Sequence, residues 1–217
     1  MYSDVPKLLK GCTLDFGINH WTEDYIMKIN GNSICSASPY GRPVSKVFEC
    51  SYKDFFEKYK QQNYYIFSKS PLSEIVPTFK SELSIQEEFK QWYNFTSTIF
   101  YAGNKGRGAL PHIHSTALNL LVSGSKLWIL FNANTSGGEK LQKEYYNKYK
   151  YKDMIKSSDW LDIEYNTSLK EYKDNGGEVY VFNQEAGDGI LIPSNWSHTV
   201  INLDECLGIT LIEGKEY

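Results

Sequence analysis

The chain has 217 residues, 41% hydrophobic and 15% aromatic, so it is long enough to bury one sizeable core. Its 23 basic and 26 acidic residues nearly balance, and only Arg42 and Arg107 are arginines, so no overall field draws it to nucleic acid or a membrane surface. No apolar run approaches the roughly 20 residues of a membrane span, the N-terminus lacks an apolar leader core, and Cys12, Cys35, Cys50 and Cys206 show no CxxC pair, so a soluble intracellular protein of cytoplasm or nucleus with reduced thiols is expected.

In chain order, residues 18–30 predict a short helix, with Thr22 as its cap, Glu23 and Asp24 in its first turn and Gly31 at its end. SICSAS (33–38) and SKVFEC (45–50) read as strands on either side of a turn, PYGRP (39–43). SYKDFFEKY (51–59) has helical spacing with Ser51 or Asp54 near its start, YYIFS (64–68) reads as a strand, and SIQEEFKQWY (84–93) as a helix. From Ser97 the texture changes. STIFYAG, LNLLVSG, KLWILF, EVYVFN, DGILIP, SHTVIN and LGITLIE are short, rich in β-branched and aromatic residues, and bounded by Gly, Asn, Asp or Pro. Such a series predicts a mainly β (α+β) chain built on a β-sandwich or rolled barrel. Residues 135–176, rich in lysine and tyrosine, form a helical insertion between strands, with Tyr145, Tyr146, Tyr149 and Tyr151 as pocket-rim contacts or as part of a packed helical cap.

Histidines are scarce, with four in all, and three fall in the β-rich half. His112 and His114 are one residue apart. On a continuous strand both would face one side, about 7 Å apart from the ~3.3 Å rise per residue. The third, His198, follows the turn Pro193-Ser194-Asn195. Three imidazoles converging from separate segments form a metal site, and imidazole suits zinc, copper, iron and nickel alike. His20 lies apart from the set and is given no role.

These residues carry a resemblance. The span from Thr98 to Glu213 resembles the Jumonji-C (JmjC) branch of the cupin oxygenases, small protein-hydroxylase type. Its motif halves are His112-Ile113-His114 and Gly187-Asp188-Gly189-Ile190-Leu191-Ile192-Pro193-Ser194-Asn195-Trp196-Ser197-His198. The resemblance implies a double-stranded β-helix (cupin, jelly-roll) core over 97–217, with residues 1–96 as an elaboration of the same domain. It implies a metal held by His112, His114 and His198, Fe(II) in the family, with 2-oxoglutarate as cosubstrate and O2 as oxidant. Lys126 and Tyr65 then match the groups that bind the far carboxylate of 2-oxoglutarate, with Tyr64 as the alternative if the register slips. Thr210 matches the hydroxyl that shares this carboxylate, and Asn119 an amide near the metal-bound end. Trp196 walls the pocket or plugs the barrel mouth.

The chain departs from the family at His114, where the pattern has a carboxylate. Three neutral imidazoles leave a divalent ion its full +2 charge, which favours a dianion and opens the site to Zn, Ni or Cu. The resemblance implies hydroxylation of a protein or peptide side chain; N-methyl-lysine demethylation is disfavoured because no accessory reader or zinc module is present. Two alternatives stand beside it: a three-histidine cupin metalloenzyme that does not use 2-oxoglutarate, and a non-catalytic JmjC-like binding module. The chain ends soon after its last strand, without the helical extension through which some relatives dimerise, so the oligomeric state is open.

Overall fold

Strands form where the sequence alternates β-branched or aromatic residues with small ones, because both faces of such a segment can be covered. The computed structural model describes residues 3–38, 47–71, 82–91, 93–149 and 167–214. The strands are β1 Lys7–Leu9, β2 Ile34–Ser38, β3 Phe48–Ser51, β4 Tyr65–Pro71, β5 Phe95–Gly103, β6 Gly108–His112, β7 Ala117–Ser123, β8 Ser125–Asn132, β9 Val179–Glu185, β10 Gly189–Ile192, β11 Trp196–Asn202 and β12 Cys206–Glu213. They pair into an eight-stranded sheet, β1-β10-β7-β12-β5-β4-β2-β3, and a four-stranded sheet, β6-β11-β8-β9, every pairing being antiparallel. This is the jelly-roll core that the resemblance implied.

The chain crosses between sheets at Gly124, the single residue between β7 and β8. Its φ of +85° suits glycine, and a Cβ there would meet the Glu205 carbonyl oxygen at 2.1 Å. Alternation then sorts β8. Lys126 and Trp128 line a cleft between the sheets, and Leu130 joins the apolar cluster with Ile190, Ile192 and Trp196. Ile129 and Phe131 face the other way, against Leu141, Tyr145 and Leu169 of the insertion.

The insertion forms α5 (Ser136–Tyr149) and α6 (Ser168–Asp174), so its described part is a helical cap on the outside of the small sheet. Tyr145 is buried in that cap, its ring 6.0 Å from that of Phe131, and does not reach the cleft; Tyr146 is exposed. Tyr151 and the turn at 39–43 lie outside the described residues, as does the Tyr149 side chain.

In the first half, α1 (Cys12–Asp15) precedes α2 (Glu23–Asn30). As predicted, the Thr22 side chain caps α2 by accepting from the Tyr25 N–H, and Gly31 follows its end. The segment 51–59 is not one regular helix. Ser51 caps a short α3 (Tyr52–Asp54), which widens into a π-helical turn, Phe55–Tyr59, and tightens into a 3-10 turn, Lys60–Gln62. The widening accompanies burial of the consecutive rings of Phe55 and Phe56. The predicted helix at 84–93 shrinks to α4 (Glu87–Lys90), because the Ser84 N–H is held by the Phe16 carbonyl and the Gln86 amide by that of Asp15.

β1 is not among the predicted strands. Lys7, Leu8 and Leu9 pair with Leu191, Ile190 and Gly189, which closes the large sheet with the start of the chain. All four cysteines are buried and none is disulfide-bonded. Among the described residues no helix is long and apolar enough to cross a membrane.

Candidate metal centre

His112 is the last residue of β6 and lies directly across from His198 on β11. The chain leaves the strand at that point, so His114 comes from the following loop, not from a continuous strand face. The 7 Å separation expected along a strand therefore does not apply. The ring centroids of His112 and His114 are 5.4 Å apart, those of His112 and His198 4.2 Å, and those of His114 and His198 4.6 Å. One ligating nitrogen from each ring lies within 4.8 Å of the other two. Ile113, between His112 and His114, is exposed.

The tautomer is set by the backbone. His112 Nδ1 lies 2.7 Å from the Leu110 carbonyl oxygen, His198 Nδ1 3.0 Å from that of Trp196, and His114 Nδ1 2.6 Å from that of Ser115. A carbonyl only accepts, so each Nδ1 carries the hydrogen and donates it, which places the lone pair on Nε2. Neutral imidazoles oriented this way are what a metal ligand set requires. The three histidines therefore fit a metal ion and could hold one.

They stand at one side of a cleft of about 410 Å³, its open mouth included, lined also by Tyr65, Tyr101, Asn119, Lys126, Trp128 and Thr210. All four predicted cosubstrate residues are thus in the same cleft as the histidines. Of the two tyrosines, Tyr65 lines the cleft, while Tyr64 packs outside it against Phe48 and Tyr59. Tyr65 fits because its cross-strand partner is Gly103, where a Cβ would come within 2.3 Å of the ring. Asn119 and Thr210 are cross-strand partners on β7 and β12, and the Asn119 Nδ2 donates to Thr210 Oγ1 at 2.7 Å. They therefore form one hydrogen-bonded polar unit in the cleft wall.

Lys126 is 1% exposed and has no carboxylate partner among the described residues. Its Nζ rests 3.9 Å from the centroid of the Tyr101 ring. Burial pulls its pKa down to about 8. Burial likewise pushes the Tyr65 and Tyr101 phenols up, so both remain neutral hydroxyls at ordinary pH. No Asp or Glu lines the cleft among the described residues. A buried ammonium and three imidazoles without a carboxylate make a receptor for an anion.

Two motif residues prove structural. The Asp188 carboxylate takes the Lys10 ammonium at 2.7 Å and the N–H groups of Gly11 and Glu185, tying the β9–β10 turn to the start of the chain. The Trp196 indole donates to the Asp4 carbonyl and packs against Tyr180, and it is not among the cleft-lining residues. The wall at that side is Trp128, 6.0 Å from His198 and fixed by a 2.7 Å hydrogen bond to Gln184. Sequence reasoning did not reach Trp128 or Tyr101. Alternation could have found both, since Trp128 lies two residues from Lys126 on β8, and Tyr101 two from Gly103 on β5.

The fold and this cleft are those of a cupin-type domain with a three-histidine centre. Residues 111–211, just under half of the chain, match the family model described as JmjC domain, hydroxylase. Among curated relatives, it is 25% identical over 236 residues to human tRNA wybutosine-synthesizing protein 5, an alignment covering 95% of this chain and 70% of that protein. It is 24% identical over 227 residues to arginine-specific demethylase JMJ22 of Arabidopsis thaliana, covering 94% of this chain but only 41% of that one. The JmjC family generally uses Fe(II) and 2-oxoglutarate, which supports an oxidoreductase.

Proposed function

We propose that this protein is an Fe(II)- and 2-oxoglutarate-dependent oxygenase that hydroxylates a protein or peptide side chain. The observation that carries the reading is the placement of a buried, carboxylate-free Lys126 in the same cleft as three imidazoles whose ligating atoms lie within 4.8 Å of one another. His112, His114 and His198 hold the metal through Nε2. When bound, iron with 2-oxoglutarate and O2 would supply the oxidising power to convert C–H to C–OH, as the cosubstrate is lost as succinate and CO2. The chain's own part is to bind, orient and exclude water. Lys126 and Tyr65 receive the far carboxylate, the Asn119–Thr210 pair supplies a polar wall, and Trp128, Ile192 and Val200 keep that side of the cleft apolar. With three neutral imidazoles and no carboxylate as ligands, His112, His114 and His198 would leave a bound metal its full charge, which would favour a dianionic cosubstrate.

A protein substrate suits a chain with net charge −3 and only two arginines, since phosphate contacts draw on an excess of basic groups. A second reading comes from the relative named for tRNA wybutosine synthesis, and would make the substrate a tRNA base. The named arginine demethylase needs no different chemistry, since hydroxylating an N-methyl carbon releases it as formaldehyde.

The test is anaerobic titration of 2-oxoglutarate into Fe(II)-loaded protein, followed by succinate release on admitting O2. Saturable binding that Lys126→Ala abolishes, with succinate formed, is expected. Absence of binding in the parent would leave a cupin that does not use 2-oxoglutarate, and binding without succinate a non-catalytic module. Salt-dependent retention of tRNA, against none for peptides, would favour the second substrate.

A further inference from the structure

We infer that Tyr101 is a positioning residue of the anion site, its ring carrying the Lys126 ammonium and its hydroxyl orienting the Asn119–Thr210 pair so that Thr210 donates into the cleft. This rests on the oxygenase reading above, in which a dicarboxylate occupies that cleft.

Donor and acceptor chemistry fixes the direction of each hydrogen in this network. The Tyr101 hydroxyl lies 2.9 Å from Asn119 Oδ1 and 2.9 Å from the Leu120 carbonyl oxygen. Both are acceptors, so Tyr101 donates. With its Oδ1 engaged, Asn119 turns Nδ2 to Thr210 Oγ1, which accepts. Thr210 has one hydrogen and has taken a donor on its lone pair, and its side chain lines the cleft. Its own hydrogen is thereby left for the cleft. A carboxylate accepts only, so this polarity suits it, whereas a reversed Asn119 amide would make Thr210 donate inward and face the ligand with lone pairs.

The ring does a separate job. A buried ammonium without a counter-charge is costly, and an aromatic face is a favourable surface for a desolvated cation. Tyr101 sits under Lys126 at 3.9 Å. Space for it is built in, because its cross-strand partner is Gly208, where a Cβ would come within 2.3 Å of the hydroxyl and 2.2 Å of the Leu120 oxygen. Both functions therefore reach the anion through other residues.

The experiment measures 2-oxoglutarate affinity by calorimetry on Fe(II)-loaded, anaerobic protein from pH 6.5 to 9.5, with metal affinity as a control. Tyr101→Phe keeps the ring and is expected to weaken binding about tenfold with metal affinity unchanged. Thr210→Val should cost a similar factor, and the double variant no more than either alone, since both break one relay. Tyr101→Leu also loses the ring, so affinity should begin to fall at a lower pH than in the parent. Additive losses in the double variant, or an unmoved pH profile in Tyr101→Leu, would overturn the inference. If Lys126→Met abolishes binding while both Tyr101 variants bind within threefold of the parent, only the inference falls. If the parent itself binds no 2-oxoglutarate, the oxygenase reading falls with it.

Discussion

In the proposed function, Lys126 serves binding at the expense of stability. Its burial favours the neutral amine, with a pKa near 8 in the folded chain against the ordinary lysine value of 10.5. Between these two values the unfolded chain holds the proton and the folded chain does not, so stability without ligand should rise as pH climbs from about 8 towards 10.5. Carboxylate binding runs the other way because it needs the ammonium. The affinity for 2-oxoglutarate should be flat below about pH 8 and then fall by about tenfold per pH unit. Lys126→Met separates the effects, since it removes an uncompensated buried charge. It should keep or raise the melting temperature while abolishing cosubstrate binding, read by thermal melts and titration on the same preparation. A large loss of stability would mean that Lys126 has a structural partner. The chemistry of this residue was legible in the sequence only through the motif around it, since a lysine between Ser125 and Leu127 reads equally well as a solvated strand edge.

At the level of elements, the cleft depends on two tyrosine–glycine pairs across β5, Tyr65 with Gly103 and Tyr101 with Gly208. Each glycine clears space that a methyl group would take from a ring. Gly103→Ala should therefore push Tyr65 out of place, costing about 1–3 kcal/mol of stability and weakening dicarboxylate binding, while metal affinity is retained. Unchanged anion affinity in a folded Gly103→Ala protein would show that Tyr65 does not touch the ligand. The strands themselves were readable from β-branched and aromatic alternation, and the cap of α2 from Thr22. What the local sequence could not show is where β6 stops. His112-Ile113-His114 has strand spacing, but the pairing with β11 ends at the His112–His198 rung, and the turn beyond it brings His114 closer than a strand would. The π-helical turn at Phe55–Tyr59 and the shortened α4 have the same origin, in contacts to distant residues that outweigh local periodicity.

Across the whole molecule, the start of the chain is stitched onto the motif that carries the third histidine. β1 pairs with β10, Lys10 reaches Asp188 across 178 positions, and the Trp196 indole reaches Asp4 across 192. Contacts of that span leave no trace in local patterning, so the scaffold roles of Asp188 and Trp196 within the motif could not be read from it. The two halves of the metal motif were legible because family resemblance records such long-range pairings where periodicity does not. The proposed function requires three imidazoles to meet at one cation, and X-ray absorption on protein loaded anaerobically with one equivalent of Fe(II) reads this directly. Three imidazole nitrogens at about 2 Å are expected, reduced to two in His114→Ala, with added oxygen scattering when 2-oxoglutarate is present. A spectrum with one imidazole or none, unaltered by His114→Ala or 2-oxoglutarate, would contradict it.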